Sequence, residues 1–273
     1  MMPLYKYCPP ERIDVLERLR IAFTPPNRFN DLWDCAPRLK GEKLRTLRRA
    51  TEQIAVRELQ ATHSEKWRNL PRKERRAIEN SVRAQVRSIS RKASPQVIDQ
   101  LNQEGQNLLS QDWGILSLAS KPEDELMWAH YANDHTGFVV EFSTDSAAFS
   151  ALGCPREVSY LDQQPWFEIG APASGAFYVK SAKWKYECEW RIVRSLSHCE
   201  KHNAADGTEI FLAAFAAPAV KSVILGVRTS SKVCERVRQV SRTYGFAVRQ
   251  IIRSTENWGL QISEAVPTGE NRR

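Results

Sequence analysis

Beyond residue 112 the chain is cut into short apolar runs separated by turn residues, and this limits the folds open to it more than any other feature. "DWGILSLAS" (Asp112 to Ser120) and "HTGFVVEFS" (His135 to Ser143) have the length and composition of strands. Between them, "PEDELMWAHYAND" (Pro122 to Asp134) reads as a short helix with Pro in its first turn and acids near its N-terminus. Further strands are expected at Glu157 to Leu161, Glu189 to Leu196, Glu209 to Ala216, Lys221 to Leu225 and Ala247 to Ile252. A helix over Ser231 to Gly245, opened by serine and closed by glycine, separates the last two. Near the start, Leu4 to Tyr7 is a short strand, "PERIDVLERLR" a helix, and "IAFTPPNRFND" a strand running into a loop. Strict βαβ alternation is missing, as are GxGxxG and the Walker pattern, which disfavours Rossmann and P-loop folds. The expectation is α+β: a mixed, mostly antiparallel β-sheet with flanking helices and a basic helical insertion.

The insertion is where the charge lies. Arg38 to Lys92 holds seventeen Lys and Arg against six Asp and Glu, an excess of eleven positive charges, whereas the whole chain carries only +8. The remainder is therefore net acidic. Apolar residues recur there at helical spacing: Leu44, Leu47 and Ile54, then Ile78, Val82, Val86 and Ile89. Arg75, Arg76, Arg83, Arg87 and Arg91 are interspersed, and Asn69-Leu70-Pro71 marks a break between helices. Such a face suits nucleic-acid phosphates or an acidic protein partner; a solvated helical surface is the plainer alternative. Base-stacking aromatics are nearly absent, Trp67 apart. The expected layout is residues 1–37 as the first part of the α+β domain, 38–111 as the insertion, 112–265 as the rest of the domain and 266–273 as a disordered tail.

Several classes are set aside. The longest apolar run, Ile210 to Val220, contains Pro218 and is shorter than the ~20 residues of a membrane helix, so no membrane association is expected. "MMPLYKYCPP" has no basic stretch followed by an apolar core, which makes the cytoplasm the expected location. The six cysteines form no CxxC and read as free thiols. Cys199 with His198 and His202 lacks a fourth ligand, so no metal site is expected.

"KWKYECEWRIV" (Lys183 to Val193) carries the chemistry: Glu187 and Glu189 stand two apart among Trp184, Tyr186 and Trp190. On a strand, residues i and i+2 face the same way, so both carboxylates would enter one cleft. The plainer alternative is an exposed pair bridged to Lys183, Lys185 or Arg191, worth at most ~1 kcal/mol. His130 and His135 flank the end of the predicted helix and are each a candidate acid or base or a structural hydrogen-bonder. Asn30 and Asp31 form a turn or cap beside the first strand. Trp128 reads as core more readily than as a ring platform.

"LYKY", "FND" (Phe29 to Asp31), "GILSLAS", "LMWAHYANDHTGFVVEF" and "YECEWR", in this order, resemble the bacterial family called domain of unknown function 2971. A sparser set is similar to the ADP-ribosyltransferases, which bind NAD on a split antiparallel sheet. That resemblance places Lys6 on the first strand, Ser117 on a middle strand, Tyr131 on the helix after it, and Glu189 at the head of a later strand, with Glu187 completing Glu-x-Glu. It departs from those enzymes in having Lys6 where they usually carry Arg or His, and in lacking their Ser-Thr-Ser string. It implies Glu189 as the catalytic carboxylate with Glu187 in support. Tyr5, Tyr7, Trp128, Tyr131 and His130 would surround a flat ring, with Lys6 at the pyrophosphate and Ser117 at a ribose.

The function expected from these resemblances is an ADP-ribosyltransferase-like enzyme, or NAD glycohydrolase, acting on a macromolecular target, with a toxin or phage-defence effector as its setting. The alternatives are a non-enzymatic nucleotide-sensing or nucleic-acid-binding module and, third, a nuclease.

Overall fold

The computed structural model describes residues 2–36, 52–53, 55–57, 59–61, 64–91, 95–165, 173–204 and 206–263. The expected tail at 266–273 and the apolar positions Leu44, Leu47 and Ile54 lie outside them. The chain divides into two compact units, one formed by Met1–Cys35, Leu108–Gln163 and Phe177–Arg273, the other by Ala36–Asn107 and Gln164–Ala176.

The first unit is built on an eight-stranded sheet. Its strands are β1 (Leu4–Cys8), β3 (Trp113–Ala119), β4 (Phe138–Phe142), β5 (Arg156–Glu157), β8 (Glu189–Ser195), β11 (Val220–Leu225), β12 (Ala247–Arg253) and β13 (Leu260–Ser263), in the spatial order β13-β12-β11-β4-β1-β3-β8-β5. Every neighbouring pair is antiparallel except β11 and β12. A parallel pair needs a crossover, and α7 (Ser231–Tyr244) supplies it. Ser230 caps that helix by accepting from the Val233 N–H, and Gly245 ends it in the left-handed region at φ 80°. The fold is α+β, as the mixture of short strands and helices led us to expect.

Alternation along the strands makes two cores. Leu4 and Cys8 of β1, with Val140, Phe142, Val223 and Leu225, pack on one face beneath α7, which contributes Val237 and Val240. Tyr5 and Tyr7 point the other way and meet Val139, Ile224, Ile251, Met127 and Trp128. The last two come from α5 (Glu125–Tyr131), whose N-cap is Asp124, accepting from the Met127 N–H at 3.0 Å. Pro122 thus lies before the helix and not in its first turn; its carbonyl accepts the Trp128 indole N–H at 2.7 Å. After α5, Asn133, Asp134 and His135 all adopt positive φ (47°, 51° and 66°), a costly run for residues with a Cβ. It lets Gly137 come so close to β1 that a Cβ there would lie 2.1 Å from the Cys8 carbonyl oxygen.

The sheet is split in the middle. β1 pairs with β4 along its whole length, yet with β3 it shares the single pair Tyr5↔Ala119. β3 instead pairs with β8 over seven residues, Trp113↔Ser195 to Ala119↔Glu189. Beyond Tyr5 the two halves diverge, and the gap between them is the floor of a cleft.

Shorter elements complete the unit. β2 (Arg20–Ala22), β10 (Glu209–Ala214) and β9 (Glu200–Asn203) form a second antiparallel sheet, and β6 (Ser159–Leu161) pairs in parallel with β7 (Val179–Ser181). The helix expected over "PERIDVLERLR" is a 3-10 turn (Pro10–Ile13) followed by α1 (Asp14–Arg18), and α6 (Ala147–Ser150) is a single turn capped by Ser146. The strand expected at Glu157 to Leu161 is two strands, because the chain leaves β8 after Glu157 and turns to β7. β7, β9 and β13 add to the expected set: three or four residues, or a wholly exposed polar run such as Glu200–Asn203, carry no periodic signal. In the second unit α2 (Ser64–Asn69) and α3 (Arg72–Arg91) are separated at Leu70-Pro71, and α4 (Pro95–Asp112) leads back into the first unit.

Candidate active site

The cleft at the split has a volume of ≈390 Å³, within the ~300–1,000 Å³ usual for small-molecule sites. Its walls come from Tyr5, Lys6 and Tyr7 of β1, Ile115 and Ser117 to Ala119 of β3, Met127, His130 and Tyr131 of α5, Thr24, Arg28 to Asn30 and Asp34 of the segment after β2, and Lys180, Glu187 and Glu189. Of the residues singled out in the sequence, Tyr5, Lys6, Tyr7, Ser117, His130, Tyr131, Glu187 and Glu189 all line it. Trp128 is corrected to core: it is fully buried, edge-on to Tyr7 and stacked with His135, so its faces are covered by protein. Arg76 is exposed on α3, Arg75 and Arg83 are half-buried there, and Arg87 and Arg91 fall on the same helix.

Glu187 and Glu189 do face one hollow, but strand alternation is not the cause. Glu187 ends a 3-10 turn (Ala182–Glu187), Cys188 takes a left-handed conformation at φ 45°, and only Glu189 belongs to β8. The corner swings both carboxylates inward to a common cation that the sequence reading missed, Lys180 of β7. Its Nζ lies 2.5 Å from Glu187 Oε2, 3.2 Å from Glu189 Oε2 and 3.5 Å from Asp34 Oδ2. Neither glutamate belongs to an exposed surface pair; both are buried. Lys183 and Lys185 are exposed, and Arg191 alone of the three suggested cations enters the network.

Arg191 is fully buried and its fork is filled on both sides. Nε and Nη2 donate to the two oxygens of Glu189 at 2.7 and 2.8 Å, and Nη1 and Nη2 to the two oxygens of Asp34 at 2.8 and 2.6 Å. Nη1 also donates to the Phe177 carbonyl. Burial alone would raise the Glu189 carboxyl, but Arg191 and Lys180 outweigh it and hold it down at about 2. The Ser117 hydroxyl adds to that stabilisation. Burial is equally opposed at Lys180, whose three carboxylate neighbours drive it well above the usual lysine range. Glu189 is thus a fixed anion.

Glu187 differs. Its second oxygen accepts the Tyr131 hydroxyl at 2.6 Å, and Tyr131 in turn accepts from the Asn30 amide at 3.2 Å. Burial and the neighbouring Glu189 charge raise the Glu187 carboxyl despite Lys180. The crowding of Asp34, Glu187 and Glu189 around Lys180 and Arg191 works in the same direction, since a like charge nearby disfavours ionisation. His130 stands at the rim, its Nδ1 3.2 Å from the Tyr186 hydroxyl. Among the described residues no three His, Cys, Asp or Glu side chains gather as a metal site.

The fold and the cleft define an α+β protein with two buried carboxylates at a split sheet. Residues 127–192 match the family described as Protein of unknown function (DUF2971), which bears out the family resemblance read from the sequence. This segment runs from α5 into β8 and so contains Tyr131, Lys180, Glu187, Glu189 and Arg191. No curated protein and no solved structure gives a significant match to the chain. No helix among the described residues is long and apolar enough to cross a membrane.

Proposed function

We propose that the cleft binds NAD, breaks the bond between nicotinamide and ribose, and passes the ADP-ribosyl group to a macromolecular acceptor. The observation that carries this reading is Glu187: a buried carboxylate in a small-molecule cleft, held by Lys180 and Tyr131 and easily protonated. The bond breaks with its electron pair leaving on neutral nicotinamide, and positive charge develops on the ribose. An anionic wall stabilises that charge. The acceptor's nucleophile then bonds to the ribose carbon and its proton goes to Glu187.

The residues present suit such a ligand. Tyr5, Tyr7, Phe29 and Tyr131 offer aromatic surface, and Arg28 on the lip offers an exposed guanidinium for the pyrophosphate. The cleft's volume matches the nicotinamide riboside half more than the whole dinucleotide. Glu187 therefore takes the role first expected of Glu189, whose oxygens are occupied by Arg191 and Lys180 and whose task is to position the network. The arginines of α3 serve to recruit an acidic acceptor.

The test is release of nicotinamide from labelled NAD by the full chain. Turnover that disappears in Glu187→Gln supports the enzyme. Tight NAD binding without nicotinamide release would make the cleft a sensor, and no binding at all would end the NAD reading.

A further inference from the structure

Two lysines line this cleft in different surroundings. Lys180 is locked as an ammonium by three carboxylates. Lys6 leaves β1 at the split and crosses toward β3, where its Nζ donates to a neutral partner, the Ser117 carbonyl, at 3.0 Å. Among the described residues this is its one side-chain hydrogen bond, and no carboxylate forms an ion pair with it. It is among the residues that line the cleft. A lysine with no carboxylate in ion-pair contact, in a partly desolvated wall, is the usual arrangement for an amine that reacts as a nucleophile.

We propose that Lys6 is a reactive amine that forms an imine with a small aldehyde-bearing ligand of this cleft. The neutral amine attacks the carbonyl carbon, and the carbonyl oxygen becomes the hydroxyl of a carbinolamine. Glu187, in its protonated form, gives a proton to that hydroxyl as it leaves as water, and the nitrogen lone pair forms the C=N bond. The carboxylate left behind offsets the positive charge of the protonated imine. Burial lowers the Lys6 ammonium below the usual lysine value, against the opposing pull of Cys8, Glu189 and Glu187 and with the help of Arg12. The inference shares the cleft with the NAD reading but does not depend on it, since imine formation needs neither nicotinamide nor an acceptor.

The experiment uses the full chain with ribose 5-phosphate and sodium cyanoborohydride, which reduces an imine to a stable secondary amine, followed by peptide mass spectrometry. Modification at Lys6 is expected to exceed that at the exposed Lys183 and Lys185 by about tenfold or more at neutral pH, each pH unit of depression raising the free-amine fraction tenfold. Glu187→Gln should slow trapping at Lys6 without moving it elsewhere. Glyceraldehyde, which has no phosphate, should also react there. Competitive acetylation of the unliganded protein across pH provides a reading that needs no variant: Lys6 should become reactive at lower pH than Lys183. Adducts spread evenly over exposed lysines, or acetylation of Lys6 only alongside or above Lys183, would overturn the proposal and mark Lys6 as an ordinary ammonium. Nicotinamide release from NAD is measured separately, so a failure here leaves that reading standing or falling by its own assay.

Discussion

Glu187 and Glu189 share the Lys180 ammonium, yet their carboxyls are driven in opposite directions, Glu189 down to about 2 and Glu187 upward. The cause is Arg191. It reaches Glu189 through two hydrogen bonds, while the remaining oxygen of Glu187 faces only the neutral Tyr131 hydroxyl.

Glu187→Gln and Glu189→Gln should therefore fail differently. The first is expected to lower nicotinamide release by roughly 10²–10⁴-fold, the usual worth of a general acid or base, with little change in melting temperature. The second leaves Arg191 and Lys180 short of a buried anion and is expected to cost roughly 3–5 kcal/mol of stability. Denaturant melts beside turnover assays separate the two. Equal loss of stability in both would remove the distinction of roles.

Stability should depend on pH in two windows. A carboxyl depressed in the fold contributes stability that is present above its unfolded value and lost as pH falls, so Glu189 weakens the protein as pH drops from 4.5 toward about 2, by something on the order of 3 kcal/mol. A raised carboxyl acts in the reverse sense: the folded protein holds a proton the unfolded chain has released, so the contribution of Glu187 is lost as pH rises from 4.5 through its raised value. Thermal melts from pH 2 to 8 should lose the acid-side dependence in Glu189→Gln and the shallower upper one in Glu187→Gln.

Trp128→Ala and Tyr131→Phe, three residues apart on one helix, should likewise part. Trp128 fills the core, and its truncation is expected to cost roughly 3–5 kcal/mol. Tyr131→Phe keeps the ring and removes one hydrogen bond to Glu187, about 1–2 kcal/mol. Its larger effect should be on turnover, with the acid limb of the activity profile shifted because Glu187 loses a donor that stabilises its charged form. An unchanged profile would detach Tyr131 from the chemistry.

If α3 recruits a nucleic acid, replacing Arg75, Arg76 and Arg83 together with alanine should weaken binding across sequences. Its salt dependence should flatten by about one unit of slope for each phosphate that is no longer neutralised. Binding by filter retention at several salt concentrations measures this. Unaltered slopes would turn attention to an acidic protein partner.

The amino-acid sequence by itself determined the class of fold, the place of α5 and α7, the basic character of the α3 segment, and that Glu187 and Glu189 share one cleft. These are local properties, carried by periodicity, capping residues and the grouping of charge within a few positions. It also named part of the cleft's lining, since the resemblance placed Tyr5, Lys6, Tyr7, Ser117 and Tyr131 on strands and a helix that periodicity and capping had marked. Asp34 and Lys180 were beyond its reach: one sits in a loop, the other on a three-residue strand, and neither has a periodic neighbour. Only the tertiary structure decided that the two carboxyls are driven apart, Glu189 down and Glu187 up. That outcome depends on Asp34, Lys180 and Arg191, brought together from positions up to 157 residues apart, and on the burial that raises Glu187 while Arg191 holds Glu189 down.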